Sequence, residues 1–260
     1  MTTTNDLYNH IYDKYSQRGH DGIIEKILKE LSIDKGYFVE FGAWNGIFLS
    51  NCRKLYENGW KGCFIEGDVN KYIELCNNYK DDDNVLCINK FVYPTKEEDE
   101  TNGDTIDNIY MKYISKFTNE IDIMSIDIDG RDYEIFENML IKPKLIIIEG
   151  GFSWHPRMQN KIPYNIAANN IQQPLQVMID LGRSKGYQPI CFNQDTFLLR
   201  NDLYDNHSYF KKLDNDCVTL WNEGYTKVLN IEDRKWLNNY RKSNVNIRHF
   251  EKDIFNLPFR

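Results

Sequence analysis

Phe38-Val39-Glu40-Phe41-Gly42-Ala43-Trp44-Asn45-Gly46 is the stretch whose reading decides the fold. Residues 37–41 are an apolar run that stops at Gly42. Residues 47–58 predict a helix that Asn58-Gly59 ends. The same strand-then-helix unit recurs down the chain. Residues 61–66 predict a second strand and 69–79 a helix; 84–92 predict a third strand and 105–117 a helix. Residues 121–128 predict a fourth strand, 133–140 a helix and 145–149 a fifth strand. Five such units with near-continuously apolar strands predict a parallel sheet covered by helices on both faces. Right-handed crossovers make it doubly wound.

Residues 152–170 are irregular, and 172–185 predict a helix. Residues 187–192 and 196–200 are two strands separated only by Asn193-Gln194-Asp195, a hairpin, so the last strand is expected to be antiparallel. A mostly parallel α/β sheet with one antiparallel strand near its C-terminal end is the seven-stranded, Rossmann-like arrangement of class I methyltransferases. Upstream, residues 5–31 predict one or two helices, with Ile23, Ile24, Ile27, Leu28 and Leu31 on one face. Downstream, 203–260 is polar and aromatic, with one helix expected near 231–243. The reading divides the chain into a helical segment, 1–35, a main domain, 36–205, and an extension, 206–260, with no assigned role.

Composition narrows the function classes. The chain has 260 residues, enough for one large domain, with 41% apolar and 27% charged residues, which argues against general disorder. A formal net charge of −7 disfavours bulk nucleic-acid binding. No apolar run approaches the roughly 20 residues needed to span a bilayer. The N-terminal MTTTNDLYNH lacks the pattern of a secretory signal, so a cytoplasmic location is expected. The cysteines, at 52, 63, 76, 87, 191 and 217, form no C-x-x-C pair and read as reduced core thiols. Asp81-Asp82-Asp83 and Glu97–Glu100 read as solvated loops.

In an open α/β sheet, ligands bind at the carboxyl ends of the strands near the point where strand order reverses. The first strand is that point here. Its exit, Glu40 to Gly46, is the candidate cofactor loop: Gly42 permits close backbone approach, and Gly46 opens the following helix. The spacing is not that of the dinucleotide fingerprint or the phosphate loop, and no nucleophile elbow is present. Glu66, at the end of the second strand, is placed to accept hydrogen bonds from ribose hydroxyls. Asn89, at the end of the third, lies toward an adenine. Alternation puts Asp127 and Asp129 on one side of the fourth strand, and Glu149 ends the fifth. Carboxylates following strongly apolar strands need partners: a cation, a substrate hydroxyl or a backbone N–H. His155, just beyond, is a candidate base or metal ligand. The other histidines, His10, His20, His207 and His249, read as lying outside these rims. Asn193-Gln194-Asp195 reads as a turn, with Asn193 near the open side of the rim.

The chain resembles FkbM-like S-adenosylmethionine-dependent methyltransferases. Ser16-Gln17-Arg18-Gly19-His20-Asp21 is similar to that family's leading helix start, and Phe38–Gly46 to its cofactor loop. Ser125-Ile126-Asp127-Ile128-Asp129-Gly130-Arg131-Asp132-Tyr133 and Pro143-Lys144-Leu145-Ile146-Ile147-Ile148-Glu149 are similar to its motifs on strands four and five. The likeness covers about residues 16–205. It departs at Glu149-Gly150-Gly151, where the related subgroup reads E-Y-N, and at Gln172-Gln173-Pro174, where it reads G-A-S.

The resemblance implies S-adenosylmethionine as cofactor and O-methylation of a sugar, glycan or small-molecule hydroxyl. Glu40, Gly42, Ala43, Trp44, Asn45, Gly46, Glu66 and Asn89 are then expected around the cofactor. Asp127, Asp129, Glu149 and His155 are the catalytic candidates, with Asp127 and Glu149 as ligands should Mg²⁺ take part. Two other classes stay open: a non-catalytic binding or scaffold protein on the same fold, and an NAD-dependent sugar-modifying oxidoreductase. An RNA methyltransferase is disfavoured by the acidic charge. The oligomeric state is left open.

Overall fold

Each apolar run contributes a strand to one seven-stranded sheet in the computed structural model, which describes residues 5–80, 82–96, 102–167 and 172–252. In chain order the strands are β1 (Tyr37–Phe41), β2 (Lys61–Glu66), β3 (Val85–Asn89), β4 (Ile123–Ile126), β5 (Leu145–Glu149), β6 (Tyr187–Phe192) and β7 (Asp195–Arg200). They lie in the order β3-β2-β1-β4-β5-β7-β6. All neighbours among the first five are parallel, and β7 runs antiparallel to both β5 and β6. This is the doubly wound, mostly parallel sheet that the sequence predicts, with β1 at the reversal of strand order.

Alternation along the strands sends residues to two cores. Phe38, Phe64, Ile123, Leu145 and Leu199 pack on one face with Ile23 and Ile27 of α1 (His20–Leu31). Val39, Cys63, Met124, Ile146 and Leu198 pack on the other with Ile109, Phe136 and Met178. Each such isoleucine or phenylalanine taken out of water contributes roughly 1.5–3 kcal/mol. The opposite-face helices are α4 (Ile106–Ile109), α5 (Asp132–Asn138) and α7 (Leu175–Ser184); α3 (Val69–Asn78) buries Leu75 in the first core, and α6 (Tyr164–Ala167) is a single turn before α7. All six cysteines are free thiols. No helix among the described residues is long and apolar enough to cross a membrane.

Several elements differ from expectation. The helix expected over 47–58 is only α2 (Arg53–Glu57). Its first half is pulled out of helical form because Ser50 and the backbone of Asn51 and Cys52 turn onto buried Glu40, while Leu49 takes a positive φ of 57°. The strand expected over 84–92 leaves the main sheet after Asn89; Phe91–Val92 instead pairs with Gly103–Asp104 in a separate two-stranded ladder. The helix of 105–117 widens after α4 into a π-helical turn over Tyr110–Ile114. α7 starts three residues late because Gln172, at φ 53°, turns the chain first. Glu97–Glu100 and Asp81 lie outside the described residues.

Beyond β7 the chain is more helical than predicted. The expected helix is present as α10 (Ile231–Ser243), accompanied by α8 (Asn201–Asn206), α9 (Cys217–Lys227) and α11 (Val245–Phe250). Leu220 and Trp221 of α9 bury against Phe152, Ile179 and Phe192. From the other end of the chain, Asn5 and Tyr8 donate to the backbone oxygens of Ile190 and Phe192 at 2.7 and 2.6 Å. Segments near both ends of the chain therefore fasten onto β6, an edge strand of the sheet.

Candidate functional site

The carboxyl ends of β1, β2 and β4 surround a cavity of about 340 Å³. Its floor depends on one residue. Gly42 has φ 75°, and a Cβ there would stand 1.6 Å from the backbone oxygen of Asp127. Only glycine lets the β1 and β4 exits approach this closely.

The rest of the β1 exit braces itself. Trp44, at φ 47°, donates its N–H to Glu66 at 2.7 Å. Asn45 accepts from the amides of Ile47 and Phe48, and Gly46 packs under Tyr79, whose hydroxyl donates to its oxygen at 2.5 Å. Ala43 is buried in the core. Of the expected loop residues, Gly42 alone is in the cavity wall.

Glu40 sits beneath the loop, 6% exposed, accepting from Ser50 and the amides of Asn51 and Cys52. Burial outweighs those hydrogen bonds and pushes its pKa up to about 7. Its position is that of a structural brace for the loop rather than a wall of the cavity.

Glu66 does line the cavity. Its two oxygens accept from the amides of Trp44 and Asp68 at 2.7 and 2.8 Å, which fixes the carboxylate and leaves it lone pairs to spare. Asn89 does not line it: its amide donates back to the Glu66 and Gly67 oxygens. The wall at that end is Lys90, Phe91, Val92 and Tyr93. The aromatic alternation of Phe91-Val92-Tyr93 was the available signal, hidden inside a supposed strand.

Asp127 and Glu149 come together, but their third partner is Asp132. One carboxylate oxygen from each lies within 4.8 Å of the others. β4 ends at Ile126, and Asp129 takes φ 56°, so alternation stops; Asp129 stands exposed in the wall of the first cavity, outside the trio. Asp132 opens α5 and accepts from the amides of Ile128 and Gly130, holding the loop around the trio; burial raises its pKa to about 6. Burial, then repulsion from Asp127, Asp132 and Asp195, pushes Glu149 up to about 11, and Asp127 is also raised.

Glu149 also opens onto a second cavity, of about 300 Å³. Around it the departing segments have definite jobs. Gln172 donates to Glu149, and Gln173 exchanges two hydrogen bonds with Ile162. Gly150 donates to Gln194 at 2.9 Å, and Gly151 forms a bridge with Pro174.

His155 is in neither cavity wall. It is 3% exposed, its backbone N–H donates to Glu251 and its ring Nδ1 accepts from the Arg157 amide at 3.1 Å. Burial, with Arg241 and Arg157 nearby, lowers its pKa to about 4, so it is neutral at pH 7. A histidine lowered from its ordinary value gives stability that is whole above about pH 6.5 and is lost as pH falls toward 4. Between pH 7 and 5 the melting temperature of His155→Gln is therefore expected to fall less than that of the wild type. Parallel slopes would show that His155 carries none of the acid sensitivity.

His20, read as remote, is at the rim. It is fully buried, 2.9 Å from Asn51 Oδ1 and 3.5 Å from Asp195 Oδ2, where β7 begins. Asn51 passes the chain of contacts to Ser125 of β4 at 3.0 Å. Asn193 turns away from the rim, donating to the Arg18 oxygen at 2.9 Å. Spacing in sequence carried no sign of this network, because α1 reaches the rim only by tertiary packing.

No known family model and no curated protein matches the sequence. Among solved structures, the chain is similar to a SAM-dependent methyltransferase from Aquifex aeolicus, at 12% identity over 76% of this chain and 92% of that one, TM-score 0.37. It is similar to an O-methyltransferase family protein from Burkholderia thailandensis at 11% identity, over 70% and 57%, TM-score 0.38. It is similar to the CurJ carbon methyltransferase at 9%, over 74% and 56%, TM-score 0.42. This chain thus matches less than two thirds of the latter two. At such distances the likeness says nothing of activity, and the fold rests on the sheet order.

Proposed function

We propose that the protein is an S-adenosylmethionine-dependent methyltransferase acting on a hydroxyl of a sugar, glycan or other small molecule. One observation carries the reading: two cavities at the strand ends flank a single carboxylate cluster. Asp127 lines the first and Glu149 the second, and their oxygens lie within 4.8 Å. A donor in one and an acceptor in the other would react across that boundary. The FkbM resemblance of the β1 and β4 exits agrees with this assignment.

Bound in the first cavity, the sulfonium supplies an activated methyl group and a positive charge. The chain's task is then mainly orientation. Glu66 holds the ribose hydroxyls, Gly42 leaves the floor open, and the Phe91 side of the wall receives the adenine. In transfer, an acceptor oxygen lone pair forms the bond to the methyl carbon, and the carbon–sulfur bond breaks with its electrons on sulfur. Glu149 takes the hydroxyl proton. Burial and the neighbouring carboxylates keep a proton on Glu149 at neutral pH, and positive charge beside it draws it to the ionised, basic form. Asp127, Asp132 and Glu149 are also an all-oxygen donor set that fits a hard divalent cation. Were Mg²⁺ used, these three residues would hold it, and it would supply charge to the acceptor oxygen.

The test is calorimetric titration with S-adenosylhomocysteine. Micromolar binding is expected, weakened about 30-fold (about 2 kcal/mol) in Glu66→Ala by loss of charge-assisted hydrogen bonds. NAD⁺ binding without S-adenosylhomocysteine binding would move the protein to the oxidoreductase class. Failure of both ligands would leave a non-catalytic binding protein.

A further inference from the structure

We propose that the C-terminal extension builds the acceptor site. Helix α10 supplies its outer wall, shaped for an uncharged, hydroxylated ring rather than an anion. The proposal rests on the methyltransferase reading and adds the part of the chain that selects the acceptor.

The second cavity joins parts of the chain far apart in sequence. Glu149 and the Gly150-Gly151 turn form its inner side, and Leu229, Asp233, Trp236 and Leu237 its outer side. Arg18, from the N-terminal segment, ties the two together. Its Nη1 meets Asp233 at 2.6 Å and its Nε donates to Gln194 at 3.2 Å. The cavity is therefore complete only when the extension lies against the sheet.

Its chemistry favours one kind of occupant. Arg18 is the one cationic side chain in the wall among the described residues, and Asp233 neutralises it. Asp233 already takes up the charge of Arg18, so a phosphate or carboxylate ester has no free counter-charge here. The amides of Gln172 and Gln194 and the two carboxyl groups offer both donors and acceptors, which suits hydroxyls. Trp236 is 63% exposed although it lines the cavity, with one ring face stacked on Tyr240 at 5.1 Å. An exposed indole with Leu229 and Leu237 beside it suits the C–H face of a ring. Such a mixture, mostly apolar with a few convergent polar groups, is typical of small-ligand cavities.

The experiment uses full-length protein labelled with 5-fluorotryptophan and read by fluorine NMR. The chain has five tryptophans, and the Trp236 signal is assigned by its loss in Trp236→Phe. A panel of neutral methyl glycosides and the matching sugar phosphates is titrated in. We expect at least one neutral glycoside to shift the Trp236 signal, with the sugar phosphates silent. Trp236→Ala should weaken that glycoside at least tenfold while S-adenosylhomocysteine binds within twofold of wild type. Trp236→Phe should keep most of the affinity. Asp233→Asn, which uncovers Arg18, should admit the phosphates. No response to any glycoside, a preference of the wild type for phosphates, or Trp236→Ala binding unchanged would each overturn the inference. Binding of S-adenosylhomocysteine, measured on the same samples, separates these outcomes from failure of the methyltransferase reading itself.

Discussion

Glu149→Gln is expected to slow methyl transfer by about 10²–10⁴-fold, the usual contribution of a positioned general base. It is expected at the same time to make the protein more stable. The carboxyl of Glu149 is buried beside Asp127, Asp132 and Asp195, and this raises its pKa to about 11. A carboxyl whose folded value lies above its ordinary one contributes stability at low pH, which is lost as pH rises. An amide removes that penalty and keeps an oxygen for Gln172 to donate to. The gain in melting temperature should thus be small at pH 5 and larger at pH 8, about 2–6 °C there for 1–2 kcal/mol. Differential scanning fluorimetry at both pH values, with radiolabelled methyl transfer to the glycoside found above, measures both effects. A variant as active as wild type would remove Glu149 from the proton path. A variant destabilised at pH 8 would show that the carboxylates are not repelling one another.

The second large effect is expected at Gly42. Gly42→Ala adds a Cβ 1.6 Å from the Asp127 backbone oxygen, at φ 75°, where side chains are strained. Backbone cannot rotate aside as a side chain can, so the β1 and β4 exits must part. Overpacking and strain together cost about 3–5 kcal/mol, or about 10 °C in melting temperature. S-adenosylhomocysteine binding should vanish as well, because that approach is the cavity floor. Gly46→Ala is the comparison: its Cβ would meet the side chains of Tyr79 and Leu75, which can shift, so its loss should be smaller. A melting temperature for Gly42→Ala within 2 °C of wild type would refute the close-approach account.

Much of this was legible from local pattern. A strand buried on both faces is apolar throughout, so β1, β2, β4 and β5 stand out, and short loops between β6 and β7 force the antiparallel turn. Glu66 was legible for the same reason: a charged residue directly after an apolar strand sits at a rim. What pattern missed follows from groups that override it. Glu40 drew three partners from residues 50–52 and undid half of a helix that periodicity supported. Asp129 left the alternation once β4 had ended, and Asp132, hidden in the first turn of α5, took its place. His155 looked catalytic by its nearness to β5 in sequence, yet it is buried outside both cavity walls, its backbone N–H held by Glu251 and its ring by the Arg157 amide.

By itself, then, the sequence determined the doubly wound sheet, its reversal at β1, and a rim bearing Gly42, Glu66, Asp127 and Glu149. Those are consequences of hydrophobic period and of glycine and acid at strand ends, properties that act over a few residues. Tertiary structure alone decided which acids meet, that His20 of α1 reaches Asp195, and that Arg18 and Asp233, 215 positions apart, close one cavity. Such contacts depend on where whole elements dock, and docking is set by the summed burial of two core faces rather than by any local run of residues.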